Sequence, residues 1–133
     1  MKVFLTGGTG FIGQPLTQAL LARDWTVIAL VRKPNGPQAR ALSRMGARLA
    51  VGDVTERESM RTAMHGADIV VHNAGLYEFG LDKAGEQRMR AINVTGTDNV
   101  LGLAHELGVP RTVSVSTVAA FGESGTQVRD ETF

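Results

Sequence analysis

Three glycines at positions 7, 10 and 13 carry the first pattern that could do chemistry, in Met1-Lys-Val-Phe-Leu-Thr-Gly-Gly-Thr-Gly-Phe-Ile-Gly13. Their chemistry is anion binding by backbone. A turn without Cβ atoms lets N–H groups approach a phosphate, and a helix N-terminus behind it adds a favourable dipole. Gly7 suits the tight turn, Gly10 the close approach to a pyrophosphate, and Gly13 the packing of helix on strand. The spacing is G-x-x-G-x-x-G, not the G-x-G-x-x-G of the general dinucleotide fingerprint, so its meaning rests on lying between a strand and a helix. An ordinary βα turn that holds no ligand is the bland alternative.

The second pattern is a charge. The apolar run Trp25–Val31 ends in Arg32-Lys33-Pro34-Asn35-Gly36-Pro37, with no carboxylate. In a dinucleotide fold, an acidic residue at the end of the second strand accepts the ribose hydroxyls and repels a 2′-phosphate; an arginine does the opposite. Asp24 stands at the wrong end of the run, so NADP is favoured over NAD. A solvated loop pair is the alternative, above all for Lys33. The three histidines, His65, His72 and His105, are isolated from one another and from any carboxylate pattern, which argues against a metal site. Glu56, Arg57, Glu58 and Arg61 read as an exposed helix face.

The elements that must position these residues alternate. Val3 to Leu5 reads as a buried strand, followed by a helix from about Gly10 or Phe11 with Ile12, Leu16, Ala19, Leu20 and Trp25 on its apolar side. Pro15 falls in the first turn, whose N–H groups have no intrahelical partner to lose. The second strand is Trp25–Val31, near-continuously apolar as a strand buried on both faces should be. A short helix over Gln38–Met45 closes at Gly46, and Arg48–Val51 is a third strand. Thr55-Glu-Arg-Glu58 has the form of a capping box and predicts a helix from Thr55 to Gly66, with Met60, Ala63 and Met64 as core filling. Ala67–His72 is a fourth strand. A polar segment, Tyr77–Glu86, leads to one long helix over about Gln87–Leu107, with Met89, Ile92, Val100, Leu101, Leu103, Ala104 and Leu107 available to the core. Thr112–Ser116 is a fifth strand. This order predicts an α/β fold of Rossmann type, a doubly wound parallel sheet in the order 3-2-1-4-5 with helices on both faces. Its ligand lies beyond the carboxyl ends of strands one and four.

Bulk numbers narrow the rest. The 133 residues form one domain, with 43% hydrophobic and 20% charged residues, ordinary for a globular chain. A net charge of +1 gives no reason to invoke nucleic acid or a membrane surface. No cysteine excludes a disulfide framework and a thiolate metal site. The N-terminus enters a strand at once and leaves no room for a signal peptide, and a cytoplasmic location is expected.

Thr6-Gly-Gly-Thr-Gly-Phe-Ile-Gly13 resembles the nucleotide-binding signature of the extended short-chain dehydrogenase/reductase family, which includes NAD(P)-dependent epimerases, dehydratases and reductases. The resemblance implies that Thr9, Phe11 and Ile12 join the glycines at the cofactor. Asp53-Val54 resembles the step that contacts adenine, the carboxylate accepting from the amino group and the next amide reaching the ring. A turn residue leading to the Thr55 cap is the alternative for Asp53. Asn73-Ala74-Gly75 resembles the motif beside the second ribose. Asn93-Val-Thr-Gly-Thr97 resembles a helix motif whose asparagine supports the active-site floor; a satisfied core polar group is equally compatible. Arg111–Gly122 resembles the fifth strand and its loop. Aligned on Phe121-Gly122, where the family usually has Tyr-Gly, Thr117 takes the place of the catalytic serine or threonine, and Ser116 lines the nicotinamide edge. A strand end rich in small hydroxyl residues is the alternative.

The family's general acid/base is a tyrosine in Tyr-x-x-x-Lys, and this sequence has none: its one tyrosine, Tyr77, is followed four places on by Leu81. The expectation is therefore a fragment, the NADP-binding half of a longer oxidoreductase or epimerase/dehydratase that holds a small-molecule substrate near Thr117. The alternatives are a non-catalytic, redox-sensing NADP-binding module and a bare α/β domain. A homodimer is compatible with the resemblance, since family dimers pair through helices of which one is present.

Overall fold

The computed structural model describes residues 1–117 together with Gly122, Gly125 and Asp130. Phe121, used above, lies outside the described residues. Five strands, β1 (Lys2–Thr6), β2 (Thr26–Val31), β3 (Arg48–Val51), β4 (Ile69–His72) and β5 (Arg111–Ser114), form one sheet in the order β3-β2-β1-β4-β5. All four pairings are parallel. The register places Thr6 beside His72 and Leu5 beside Ala29, so the carboxyl ends of the central strands finish level.

Side chains alternate across the pleat and fill two cores. Val3 and Leu5 of β1, Val27, Ala29 and Val31 of β2, and Ile69 and Val71 of β4 face one layer. There they meet Leu20 of α1 (Gly13–Leu21) and Ala39 and Leu42 of α2 (Pro37–Met45). Phe4, Leu30 and Val70 face the other layer, against Met60 and Met64 of α3 (Arg57–Met64) and Val100, Leu103 and Ala104 of α5 (Gly96–Glu106). Each fully buried side chain of this size stabilises by about 1.5–3 kcal/mol. The inner strands are therefore apolar on both faces, as the Trp25–Val31 run implied.

Several boundaries differ from expectation for local reasons. The first helix begins at Gly13, not Gly10 or Phe11, because Gly7–Ile12 is spent on the turn; Pro15 still lies in its first turn. The capping box at Thr55 does not form. Asp53 takes Thr55 instead, its Oδ1 accepting from the Thr55 amide at 2.9 Å and hydroxyl at 2.8 Å, and α3 starts two residues later without a side-chain cap. The expected long helix starts earlier and is broken in kind. Asp82 caps α4 (Lys83–Arg90) by accepting from the Gly85 amide at 2.8 Å. A π-helical turn, Ala91–Thr95, then joins α4 to α5. As a result α4 buries no residue, and Met89 takes no place in the core. The fourth strand is shorter than expected, and β5 lies one residue earlier at its start and two at its end. Among the described residues no helix is long and apolar enough to cross a membrane.

Candidate functional site

The carboxyl ends of β1, β2 and β4 open onto one cavity of about 630 Å³. The first wall is the glycine turn. Gly7 holds φ +69°, and the Gly10 amide donates to the Gly7 carbonyl at 3.0 Å. A Cβ on Gly7 would lie 2.5 Å from the Asn73 carbonyl carbon, so the ends of β1 and β4 meet backbone to backbone. A Cβ on Gly13 would lie 2.6 Å from the Gly8 Cα, which lets α1 sit directly on the turn. Gly10 is different: a Cβ there meets the Gly7 oxygen at 3.3 Å and nothing else nearby, while Gly10 lines the cavity. Phe11 and Ile12 also line it, and among the described residues their amides have no hydrogen-bond partner. α1 has no side-chain cap and no acidic residue in its first turn. The wall is thus a set of orphan donors at a helix N-terminus, with no carboxylate in the helix's own first turn to satisfy them.

The second wall is basic. Arg32 follows β2 and borders both this cavity and a neighbouring one of about 490 Å³. Lys33 and the uncapped start of α2, Gly36–Ala39, border the second. Among the described residues no carboxylate lines that second cavity, and neither Arg32 nor Lys33 is ion-paired.

Asp53 and Val54 form the third wall. Asp53 borders the cavity, and its Oδ1 closes the turn onto Thr55. The fourth wall, Asn73–Leu76, is held from below. Thr6 Oγ1 accepts from the amides of Asn73 at 3.2 Å and Ala74 at 3.1 Å, and Asn73 Nδ2 donates to the Gly7 carbonyl at 3.3 Å. Its far end is pinned by Asn93, whose Nδ2 donates to the Leu76 carbonyl at 2.7 Å and whose Oδ1 accepts from the Leu76 amide at 2.8 Å. Asn93 is exposed, not a core polar group; it sits in the π-helical turn.

The cavity therefore gathers Gly7, Thr9, Gly10, Phe11, Ile12, Arg32, Asp53, Val54, Asn73, Ala74 and Gly75 from four segments of sequence. Gly13 stands behind it. Ser116 and Thr117 do not line it; they follow β5, whose Ser114 pairs with His72, on the same edge of the sheet as Asn73. Two features had no signal in the sequence. Glu78 and Arg88, paired at 3.3 Å, add a charged rim. His72, beneath the fourth wall, is buried between two threonine hydroxyls, and burial pushes its imidazole below the usual histidine range. Among the described residues no three His, Cys, Asp or Glu side chains come together as metal ligands.

Known proteins resemble this chain in sequence and fold. A model of the NAD dependent epimerase/dehydratase family matches residues 3–133. The 4-hydroxy-2-methyl-3-oxo-4-farnesyl-3,4-dihydroquinoline-1-oxide ketoreductase of Stigmatella aurantiaca is 35% identical over 123 residues, covering 92% of this chain and 35% of that protein. The 3 beta-hydroxysteroid dehydrogenase/Delta 5-->4-isomerase of Mycobacterium tuberculosis is 34% identical over 124 residues, covering 87% of this chain and 31% of that protein. Among solved structures, the UDP-glucose-4-epimerase of Stenotrophomonas maltophila, with bound NAD and formylated UDP-arabinopyranose, superposes with a TM-score of 0.79 at 26% identity. That match covers 96% of this chain and 40% of the epimerase. The chain thus spans about a third of the length of the curated relatives it matches.

Proposed function

The chain belongs to the NAD dependent epimerase/dehydratase family, and from that premise we propose that it binds a nicotinamide dinucleotide, NADP before NAD, as the cofactor-binding part of an oxidoreductase or epimerase/dehydratase. The observation that carries the reading is the glycine wall. Gly7 and Gly13 are required by the protein's own packing, but Gly10 is not: the space a side chain would take there belongs to the cavity. A pyrophosphate fits that space, with the unpartnered Phe11 and Ile12 amides as donors.

Each further residue has a role on this reading. Arg32 supplies a guanidinium for a ribose 2′-phosphate, in a corner where no carboxylate stands among the described residues. Asp53 keeps one carboxylate oxygen on Thr55, and its other accepts from the adenine amino group beside Val54. Asn73, Ala74 and Gly75 present small side chains and backbone to the second ribose and the nicotinamide half. Bound, the dinucleotide supplies a carbon that accepts or donates hydride. Ser116 and Thr117 follow β5 at the same sheet edge, and the Thr117 hydroxyl orients the substrate oxygen in the whole protein. Within these 133 residues no tyrosine stands four before a lysine, so the proposal for this chain covers binding and orientation and not proton transfer.

Calorimetric titration of the full chain with NADP⁺ and NAD⁺ tests it. Binding of both, NADP⁺ more tightly, is the expected result. Binding of neither by a folded chain overturns the reading, and tighter NAD⁺ binding overturns the role of Arg32.

A further inference from the structure

His72 neither lines the cavity nor touches solvent, being 2% exposed, yet it closes a chain of hydrogen bonds around the fourth wall. We infer that His72 is a positioning residue for the dinucleotide, a neutral imidazole protonated at Nε2 that locks Asn73–Leu76 in binding shape and releases it when a second proton arrives. The inference rests on the dinucleotide reading above.

The protonation state follows from counting donors. Thr6 Oγ1 already accepts two amides, from Asn73 and Ala74, so its own proton goes to His72 Nδ1 at 2.8 Å. Nδ1 must then be an acceptor. On the other side, Thr97 Oγ1 donates to the Asn93 carbonyl at 2.7 Å, and a carbonyl can only accept. The 3.0 Å contact between Thr97 and Nε2 is therefore a bond donated by the imidazole. One tautomer satisfies every atom.

The same chain reaches both ends of the wall. Through Thr6 it holds the first two amides of the wall, and through Thr97 it reaches the turn whose Asn93 grips Leu76 by amide and carbonyl. A proton added at Nδ1 would face an oxygen with no lone pair left. Thr6 must then turn its own proton away from Nδ1 and give up Asn73 or Ala74. Among the described residues no charged side chain offsets this. The ring is faced by hydroxyls, Thr6 from β1 and Thr97 from α5, and β5 meets its residue through the Val115 amide on the His72 carbonyl at 2.9 Å. Burial alone lowers its basicity, without a neighbouring charge of either sign.

The test titrates the full chain with NADP⁺ from about pH 7.5 to about pH 5, beside His72→Asn, whose Oδ1 can accept from Thr6 at any pH. Comparing the two cancels the titration of the ligand's own phosphate. Wild-type affinity should fall by about tenfold more than that of His72→Asn over this range. In parallel, nitrogen chemical shifts of the unsubstituted chain should show Nε2–H and bare Nδ1 at neutral pH, and saturation with NADP⁺ should push the His72 titration lower. Equal pH dependence in the two chains, an Nδ1–H tautomer, or a His72 titration indifferent to NADP⁺ overturns the inference while leaving the binding reading intact. No binding at about pH 7.5 overturns both. The NMR measurement needs no variant, so it decides the matter even if His72→Asn fails to fold.

Discussion

Gly13 rests on Gly8 so closely that a Cβ on Gly13 would lie 2.6 Å from the Gly8 Cα. Backbone, unlike a flexible side chain, cannot step aside, so α1 and the glycine turn form one rigid piece. Gly13→Ala should destabilise the fold by about 1–3 kcal/mol or more, read as a lower urea midpoint. Gly10, three residues earlier, faces the cavity. Gly10→Val should leave the urea midpoint close to wild type while abolishing binding of NADP⁺ and NAD⁺ alike. Unchanged affinity in that variant would remove the phosphate site.

Arg32 and Lys33 stand in a corner that holds no carboxylate among the described residues, beside the uncapped start of α2. Arg32→Ala should weaken NADP⁺ by about tenfold, roughly 1.4 kcal/mol, and leave NAD⁺ nearly unchanged. Calorimetry with each dinucleotide checks it; equal losses would mean that Arg32 does not read the 2′-phosphate.

Asn93 spends its whole amide on Leu76. Asn93→Ala should free the far end of the fourth wall, speed hydrogen exchange of the Leu76 amide, and weaken dinucleotide binding severalfold with little change in the unfolding midpoint. Slow exchange at Leu76 in the variant would show that the wall is held by other means.

Acid should act at two places with different windows. His72 is lowered by burial from an unfolded value of 6.5, so its contribution is complete above that value and is lost as pH falls through the folded one. The urea midpoint of wild type should therefore start to drop below about pH 6.5, and that of His72→Asn should not show this first step. Lower down, the hydrogen bond from Arg61, and then that from Arg57, holds the Glu106 carboxyl at about 2 against an ordinary 4.5. Its contribution is present above 4.5 and fades as pH falls toward 2. Because these side chains are largely solvated, with Glu106 at 48% exposure, Glu106→Gln should shift the neutral-pH midpoint only slightly, and added salt should shrink the difference.

Much of this was legible from local pattern. Alternating apolar runs and glycine stops placed all five strands and predicted the sheet order that the structure adopts. The spacing of Gly7 and Gly13 reported a real steric demand, since at both positions a Cβ would meet backbone. The exposed character of Glu56 and Glu58 was equally readable, whereas Arg57 and Arg61 on the same face are half-buried. Their partner Glu106, which ties α3 to α5 through ion pairs at 2.7 Å, was not, because it stands 45 residues beyond Arg61.

What the sequence determined by itself is whatever depends on neighbours along the chain: hydrophobic period, turn chemistry, and the glycines that a tight βα turn cannot do without. What only the tertiary structure decided is the competition among polar groups. Thr55 could cap its helix or answer Asp53, and it answers Asp53. The helix through Asn93 could run straight, yet it opens into a π-helical turn, from which the side chain reaches Leu76. An isolated His72 reads as inert until β1, β4 and α5 bring Thr6 and Thr97 to its two nitrogens. A buried hydrogen bond is specified by where donors and acceptors meet in space, and its partners here lie up to 68 residues apart.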